Sequence, residues 1–375
     1  MSGDDQITLT VAGVLYEGWI SASVTRSLDS FAHSFNLEYT DRWADSQAPW
    51  PIRVRSACQL KYGNHILVTG FVDCSSFRVD GESWSLSAVG RSRTGQLVDC
   101  SAVYKTGVWR NKTMIQIARD LVSAYGLDVA ISVPDPTPIR KFSIEEGESV
   151  YNALERLTKN RGYLLHTLAD GNPSLLQLQR FVGLVGAAPI DDAISREFIE
   201  DAQDRFSDYR TMAQSFSESD EDDETITVTR SVEGIVDETV KLHRPLNVVA
   251  DSASDYASLR KRATWERNIR AGRSEHYSAV FDGVLDENGF TWTPGDHHRV
   301  VDAEFGLDAE MVVVEAKINS SNRELTTAVS FARPEAYSLL EYPQSILNVV
   351  TKKGRPKVKK SKVPFGQSGN KKGNK

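Results

Sequence analysis

The chain has 375 residues, with 44 Lys and Arg against 51 Asp and Glu and a formal net charge of −7. At roughly 100–200 residues per domain, this length predicts two or three domains, each large enough to bury a core. Hydrophobic residues at 40% and charged residues at 25% match globular usage and exclude wholesale disorder, collagen-like repeats and fibrous classes.

The charge is unevenly placed. From Thr351 to Lys375 there are nine Lys, one Arg and no acid, so the preceding 350 residues hold 34 bases against 51 acids. An acidic body argues against broad phosphate-backbone binding, which needs clustered cations to displace counterions. Cys58, Cys74 and Cys100 form no C-x-x-C pair, and an odd number cannot all be bridged within one chain. Reduced thiols in a protein assembled in the cytoplasm are expected. The start MSGDDQITLT has neither the basic residues nor the apolar run of a secretory leader, and no stretch approaches roughly 18 apolar residues. The expectation is a soluble product without direct membrane insertion.

From Ile7 to Val89 apolar and polar residues alternate in short runs, the period of half-buried strands. Ile7, Leu9 and Val11 alternate with threonines, Phe35, Leu37 and Tyr39 with Asn36 and Glu38, and Trp84, Leu86 and Ala88 with three serines. Gly13, Gly18, Gly63-Asn64, Gly70 and Asp80-Gly81 punctuate these runs at the spacing of an antiparallel sandwich or barrel. The period changes in NKTMIQIARDLVSAYG. There Met114, Ile117, Ala118, Leu121, Val122 and Tyr125 form one helical stripe, with Thr113 and Gln116 as a capping box and Gly126 as the stop. After the connector VPDPTP, SVYNALERLTKNRG predicts a second helix capped by Ser149 and ended by Gly162. Tyr163 to Leu168 and Leu175 to Phe181, flanking Asp170-Gly171-Asn172, predict a hairpin against which both helices pack.

Strands are expected again from Phe198 onward, interrupted by the acidic run Glu218, Asp220, Glu221, Asp222, Asp223, Glu224, which reads as a solvated loop. A third helix is expected from Ser254 to Ala271, its arginines forming a solvated side. Strands return at Val280–Phe281, Val312–Val314 and Leu325–Phe331. The chain thus reads as a β region over 1–100, an inserted α/β unit with two helices and a hairpin over 101–185, a second β region over 186–342 with an acidic loop (217–224) and a helical segment (254–271), and a basic tail over 343–375. Alone in water the tail cannot bury enough surface to offset its ordering entropy. Its cations Lys352, Lys353, Arg355, Lys357, Lys359, Lys360 and Lys362 are the candidate partner-binding residues. They suit an acidic protein surface first, and anionic lipid or nucleic acid as alternatives.

No catalytic constellation emerges. The sequence has no phosphate loop, H-E-x-x-H, G-x-S-x-G or Rossmann glycine pattern. Asp296, His297 and His298 are the densest metal-like cluster, yet neighbours on a strand point to opposite faces. The pairs Asp191-Asp192 and Glu145-Glu146 lack the facing geometry that glycosidase chemistry needs. No catalytic, cofactor or metal site is therefore assigned. The enzyme alternative is a cell-wall hydrolase, which would need a cleft carrying a paired acid or a metal. A polysaccharide-binding adhesin is suggested only by seven Trp and twelve Tyr, which serve equally well in cores and interfaces.

The stretches GWISASVTRSLDSFAHSFNLEYTD, DCSAVYKTGVWRNKTMIQIARDLVSAYGL, RFSDYR, HRPLNVVAD and FARPEAY, spread from Gly18 to Tyr337, resemble the Mu-type phage baseplate central hub family. That family is related to the late-control D proteins, the T-even tail hub and the hub part of type VI secretion spikes. The resemblance implies a mainly β fold with α+β insertions: two β-barrel domains related as a pseudo-repeat, plus smaller α/β domains, with three copies forming a trimeric ring. It implies a structural, non-enzymatic role in the virion tail baseplate after assembly in the host bacterial cytoplasm. The implied partners are two further copies, the tail tube protein, the central spike protein, baseplate wedge or other tail-tip proteins and the tape measure protein, with DNA only in transit. A lumen lined with carboxylates would keep that DNA from sticking, because negative walls raise the energy of phosphate contact.

Overall fold

A computed structural model describes residues 6–39, 52–80, 83–159, 161, 163–176, 184–217, 226–231, 235–249, 256–286, 289, 291–321 and 324–337. The acidic run from Glu218, Gly81, Gly162 and all of the basic tail fall outside these residues. In the first β region the strands are β1 (Ile7–Val11), β2 (Val14–Tyr16), β3 (Ser21–Ser27), β4 (Ser34–Tyr39), β5 (Ala57–Tyr62), β6 (His65–Asp80) and β7 (Ser83–Ser92). The next stretch carries α1 (Gly95–Asp99), β8 (Val108–Thr113), α2 (Met114–Val122), β9 (Ala130–Ile131), β10 (Pro138–Ser143), α3 (Val150–Lys159), β11 (Leu164–Thr167) and β12 (Pro173–Leu176). The remainder supplies β13 (Leu184–Ala187), β14 (Ser195–Glu200), β15 (Asp208–Ser217), β16 (Ile226–Ser231), β17 (Ile235–Val236), β18 (Pro245–Val249), α4 (Tyr256–Gly272), β19 (Glu275–Asp282), β20 (His297–Asp302), β21 (Leu307–Ser321) and β22 (Glu324–Ala332).

The expected alternation holds where it was clearest. Ile7, Leu9 and Val11 are buried between half-exposed threonines, and Phe35 and Leu37 point into the same core. The two β regions do not stand apart, however. One open sheet of 13 strands runs β14-β19-β22-β21-β3-β4-β7-β6-β5-β1-β2, with β20 joining β13 and β21. Its central join is β21 with β3, antiparallel from Glu315 opposite Ser27 to Ser321 opposite Ser21. No described part of one chain closes into a barrel. Each region still keeps its own core, around Leu9, Val24 and Leu60 in the first and around Tyr277, Val313 and Phe331 in the second.

The sheet contains the same strand order twice. β3-β4-β7-β6 and β14-β19-β22-β21 each run first, second, fourth, third in chain order, and in each the third strand is the long one. Each long strand also takes an extra partner along its first half, β5 on β6 and β20 on β21. Each carries a bulge just beyond, at Val72/Cys74 and at Val313/Glu315. Insertion of β15 to β18 and α4 after the first strand of the second copy hides the likeness from a linear reading.

Gly70 is not the turn residue its spacing suggested. It lies inside β6, facing Cys58 on one side and Ser92 on the other, and a Cβ there would meet the Arg91 carbonyl oxygen at 1.8 Å. The glycine is required by close backbone approach rather than by a bend.

In the stretch expected to form the inserted unit, the local helix signals are present. Thr113 Oγ1 accepts from the Gln116 amide and the Gln116 side chain accepts from the Thr113 amide, completing the capping box, while Gly126 ends the following turn at φ +63°. Ser149 Oγ accepts from the Asn152 amide at the start of α3. Thr113→Ala should remove a single cap and cost about 1 kcal/mol, read as a small shift in the denaturation midpoint. The hairpin is present as β11 paired with β12, from Leu164 opposite Leu176 to Thr167 opposite Pro173, and residues 177–181 of its expected second strand lie outside the described residues. The sequence reading overlooked β8 and β10, which pair across Trp109 and Phe142 and cover one end of the α2–α3 core.

Arg260 is exposed as expected, but the other three arginines of α4 are not a solvated side. Arg262 lies 4.3 Å from the Trp265 ring and bonds Glu266, Arg267 is only 8% exposed and bonds Asn268 Oδ1, and Arg270 lies 5.2 Å from the Phe206 ring. Their long stems cover apolar surface, and Glu266, one turn from both Arg262 and Arg270, supplies the countercharge. The helix packs on β15 and β17 and on the terminal turn Pro334–Tyr337.

Candidate functional surface

Eight strands, from β14 at one end to β6 at the other, present a single continuous face away from the cores. Registers fix its rows. One runs Ser195, Val280, Ala328, Lys317, Thr25, Ser34, Arg91, and the next runs Asp282, Thr326, Asn319, Ser23, Asn36, Val89. Side chains meet across strands on this face. Ser23 Oγ donates to Asn319 Oδ1 at 3.1 Å, Ser21 Oγ to Glu38 Oε2 at 2.9 Å, and the Ser76 and Ser87 hydroxyls lie 2.8 Å apart.

The face is made mostly of small hydroxyl and amide side chains, with Val280, Ala328 and Val89 among them and a few charges set apart. Glu38, Glu197, Asp282, Glu315 and Glu324 outnumber Arg78, Arg91 and Lys317 among its described residues. Arg91 is itself neutralised, held bidentate by Asp99 and bonded to Asp73 at 2.5 Å, which pulls the Asp99 carboxyl below its usual range. Such a wall offers phosphate no cluster of cations. Alternating serines in SASVTRS and SWSLSAVG were the sequence signal for it, but only strand pairing shows that they share one surface.

The metal-like cluster separates as strand geometry requires. The His297 Nδ1 lies 2.8 Å from Glu310, whereas His298 packs on Trp292 and Phe331 within the core. Asp296 faces buried Arg26, and burial outweighs that cation to hold the carboxyl up at about 6. Asp191 and Asp192 are exposed on a short 3-10 turn, and Glu145 pairs with Arg156. Among the described residues no group of three or more His, Cys, Asp or Glu could hold a metal ion, and no helix is long and apolar enough to cross a membrane. All three cysteines are free, Cys58 buried and Cys74 and Cys100 exposed.

The fold is similar to that of solved phage tail proteins. Residues 6–92 match the family described as Mu phage baseplate assembly protein GpP-like, N-terminal. Residues 94–177 match the baseplate hub protein gp44-like second domain, and residues 255–340 the fourth domain of the GpP baseplate assembly protein. The chain is 30% identical over 342 residues to the baseplate hub protein gp44 of Escherichia phage Mu, covering 88% of each. It belongs to the Mu-type baseplate hub family, and its role is that of a structural protein of the phage tail baseplate.

Solved structures agree. The 43 kDa tail protein of prophage MuSo2 from Shewanella oneidensis is 27% identical with a TM-score of 0.77, over 89% of this chain and 99% of that one. A tail protein from Neisseria meningitidis, 21% identical with a TM-score of 0.74 over 90% and 99%, shows the same fold. A component of the E. coli type VI secretion system does so at 12% identity and a TM-score of 0.53, over 89% and 80%.

Proposed function

We propose that three copies of the chain close into a ring at the tail tip, joining the sixfold tail tube to the threefold spike, with the hydroxyl-rich face lining a channel through which DNA passes. The carrying observation is the doubled strand order. Within one chain the second repeat joins the first through the long strand β21 and the opening strand β3. The other pair of ends, β6 from Cys74 onward and β14, is not joined to a described strand on the corresponding sides. A ring forms if β6 of one copy meets β14 of the next as β21 meets β3, so that each chain supplies two of six equivalent units. Edge strands that find such a partner are no longer exposed to misassociation. In this reading each repeat is one of the two barrel-type domains, completed in part by its neighbours. The tube, spike, wedge and tape measure proteins are its partners.

The alignment of the two bulges makes Cys74 equivalent to Glu315, which sits at the β3 end of its join. Cys74 should therefore lie close to the Glu200 end of β14 in the next copy. Cysteines introduced singly at Ile199, Glu200 and Asp201 should give, for at least one site, a disulfide with Cys74 that links three chains and vanishes on reduction. Paired strand positions fall within the Cα separation a disulfide tolerates. Monomers throughout the series, or links without a threefold limit, would remove the ring.

A further inference from the structure

A cavity of about 590 Å³ opens where the inserted unit meets α4, and it contains Glu155 of α3, Asp201 and Asp204 from the turn after β14, Trp265 and Arg270 of α4, and Tyr337. Tyr337 is the last described residue, and its hydroxyl donates to both carboxylate oxygens of Asp29 at 3.0 Å. The chain therefore leaves the described fold at the rim of this cleft. Glu266 at the base is committed to Arg262 and Arg270, and Asp29 to Tyr337 and Arg273. Glu155, Asp201 and Asp204 take part in no ion pair among the described residues. The result is a cleft with unspent negative charge and aromatic walls.

We infer that the occupant of this cleft is the chain's own basic tail, folded back so that the cations between Lys352 and Lys362 lie against Glu155, Asp201 and Asp204 and their stems against the rings of Trp265 and Tyr337. Three observations meet here. Tyr337, six residues ahead of the tail, stands at the cleft, the 25 final residues of the chain carry ten cations and no acid, and the cleft offers carboxylates without cationic partners among the described residues. Reach is ample, because fourteen residues separate Tyr337 from Lys352 and span up to about 45 Å when extended. Lysine and arginine stems suit aromatic walls, since the methylenes cover apolar surface while the heads stay at the wet rim. Individual exposed pairs are weak, so the seat is held by many of them and loosens with salt. The inference does not depend on ring closure, since tail and cleft belong to one chain.

The test uses the full-length protein. Carbodiimide, which couples amines to carboxylates without a spacer, should join lysines 352–362 to Glu155, Asp201 or Asp204 within one chain, as read by peptide mass spectrometry on a mixture of light and heavy isotope-labelled protein. Trypsin should cut after those lysines at least tenfold more slowly than in the triple variant Glu155→Lys, Asp201→Lys, Asp204→Lys, and 1 M salt should erase the difference. Glu in place of the lysines at 352, 353, 357 and 359 should restore protection in the triple variant at Lys360 and Lys362, the two sites there that trypsin can still cut. Equal cleavage rates in equally folded proteins, links confined to other carboxylates, or links between light and heavy copies would each overturn the fold-back. Should the triple variant not fold, the link map of the natural chain decides alone. Loss of this result with the Cys74 links intact would leave the ring standing.

Discussion

Gly70→Val should leave almost no soluble, folded chain. The glycine lies where β6 passes from β5 to β7, and a single added carbon would sit 1.8 Å from the Arg91 carbonyl oxygen, 2.7 Å from its carbon and 2.8 Å from the Ser92 Cα. None of these is the yielding end of a side chain; all are backbone in the neighbouring strand. Relief requires β7 to move off β6, and β7 also holds β4, so the displacement spreads through the first core. Overpacking of a tight core costs roughly 1–3 kcal/mol and more when backbone must shift, so more than about 3 kcal/mol is expected here. Against a total stability of roughly 5–15 kcal/mol that is a large share. Gly147→Ala is the control: its φ is +79° but nothing lies within 4 Å, so only about 1 kcal/mol of backbone strain is expected. Solubility and urea midpoints of the two variants check the contrast. Near-equal midpoints would show that the strands separate cheaply.

Mild acid should loosen the joint between the inserted unit and the sheet. His33, just before β4, and His166, on β11, are 1% and 5% exposed, with ring centroids 5.7 Å apart. Neither His33 ring nitrogen has a hydrogen-bond partner among the described residues. Burial first, and the Arg26 guanidinium second, lower His166 to about 3; burial, His166 and Arg26 hold His33 well below the usual imidazole value. Both rings are neutral in the fold, whereas the unfolded chain takes up protons near pH 6.5. Depressed imidazoles therefore cost nothing above pH 6.5 and progressively destabilise the fold as pH falls toward the folded value. Buried Asp296, raised to about 6, acts in the opposite sense because the folded state is protonated first. A difference measurement separates them. Between pH 7 and 4.5 the natural protein should lose on the order of 3 kcal/mol more than His166→Phe, from two pH units at about 1.4 kcal/mol each. Parallel stability curves for the two proteins would dismiss the buried imidazole as the cause.

Local signals carried the parts of the fold that local forces decide. The α2 stripe, its Thr113–Gln116 box and the Ser149 cap were readable because each is satisfied within four residues. Strand alternation around Leu9 and Leu37 was readable for the same reason. Pairing was not. The join of Ser21 with Ser321 links residues 300 positions apart, and nothing in either segment marks the other as its neighbour. The doubled strand order was equally hidden, because it repeats connectivity without repeating residues. Gly70 was visible as a glycine but not as a contact, since a turn and a close backbone approach select the same residue. Three of the arginines of α4 misled for a related reason: charge suggests water, while Trp265 and Phe206 take up the stems.

The bond between β3 and β21 also sets a timetable for synthesis. A ribosome adding roughly 5–20 residues per second needs about 15–60 s after making β3 to deliver the strand that covers its outer edge. Throughout that interval the nascent chain holds a finished hairpin of β3 and β4 with one side unsaturated, and polysomes bring many such hairpins close together. Serine and threonine at alternate positions of that hairpin keep the waiting edge hydrated and poorly adhesive. The small polar side chains of this sheet face are thus useful before the protein is complete.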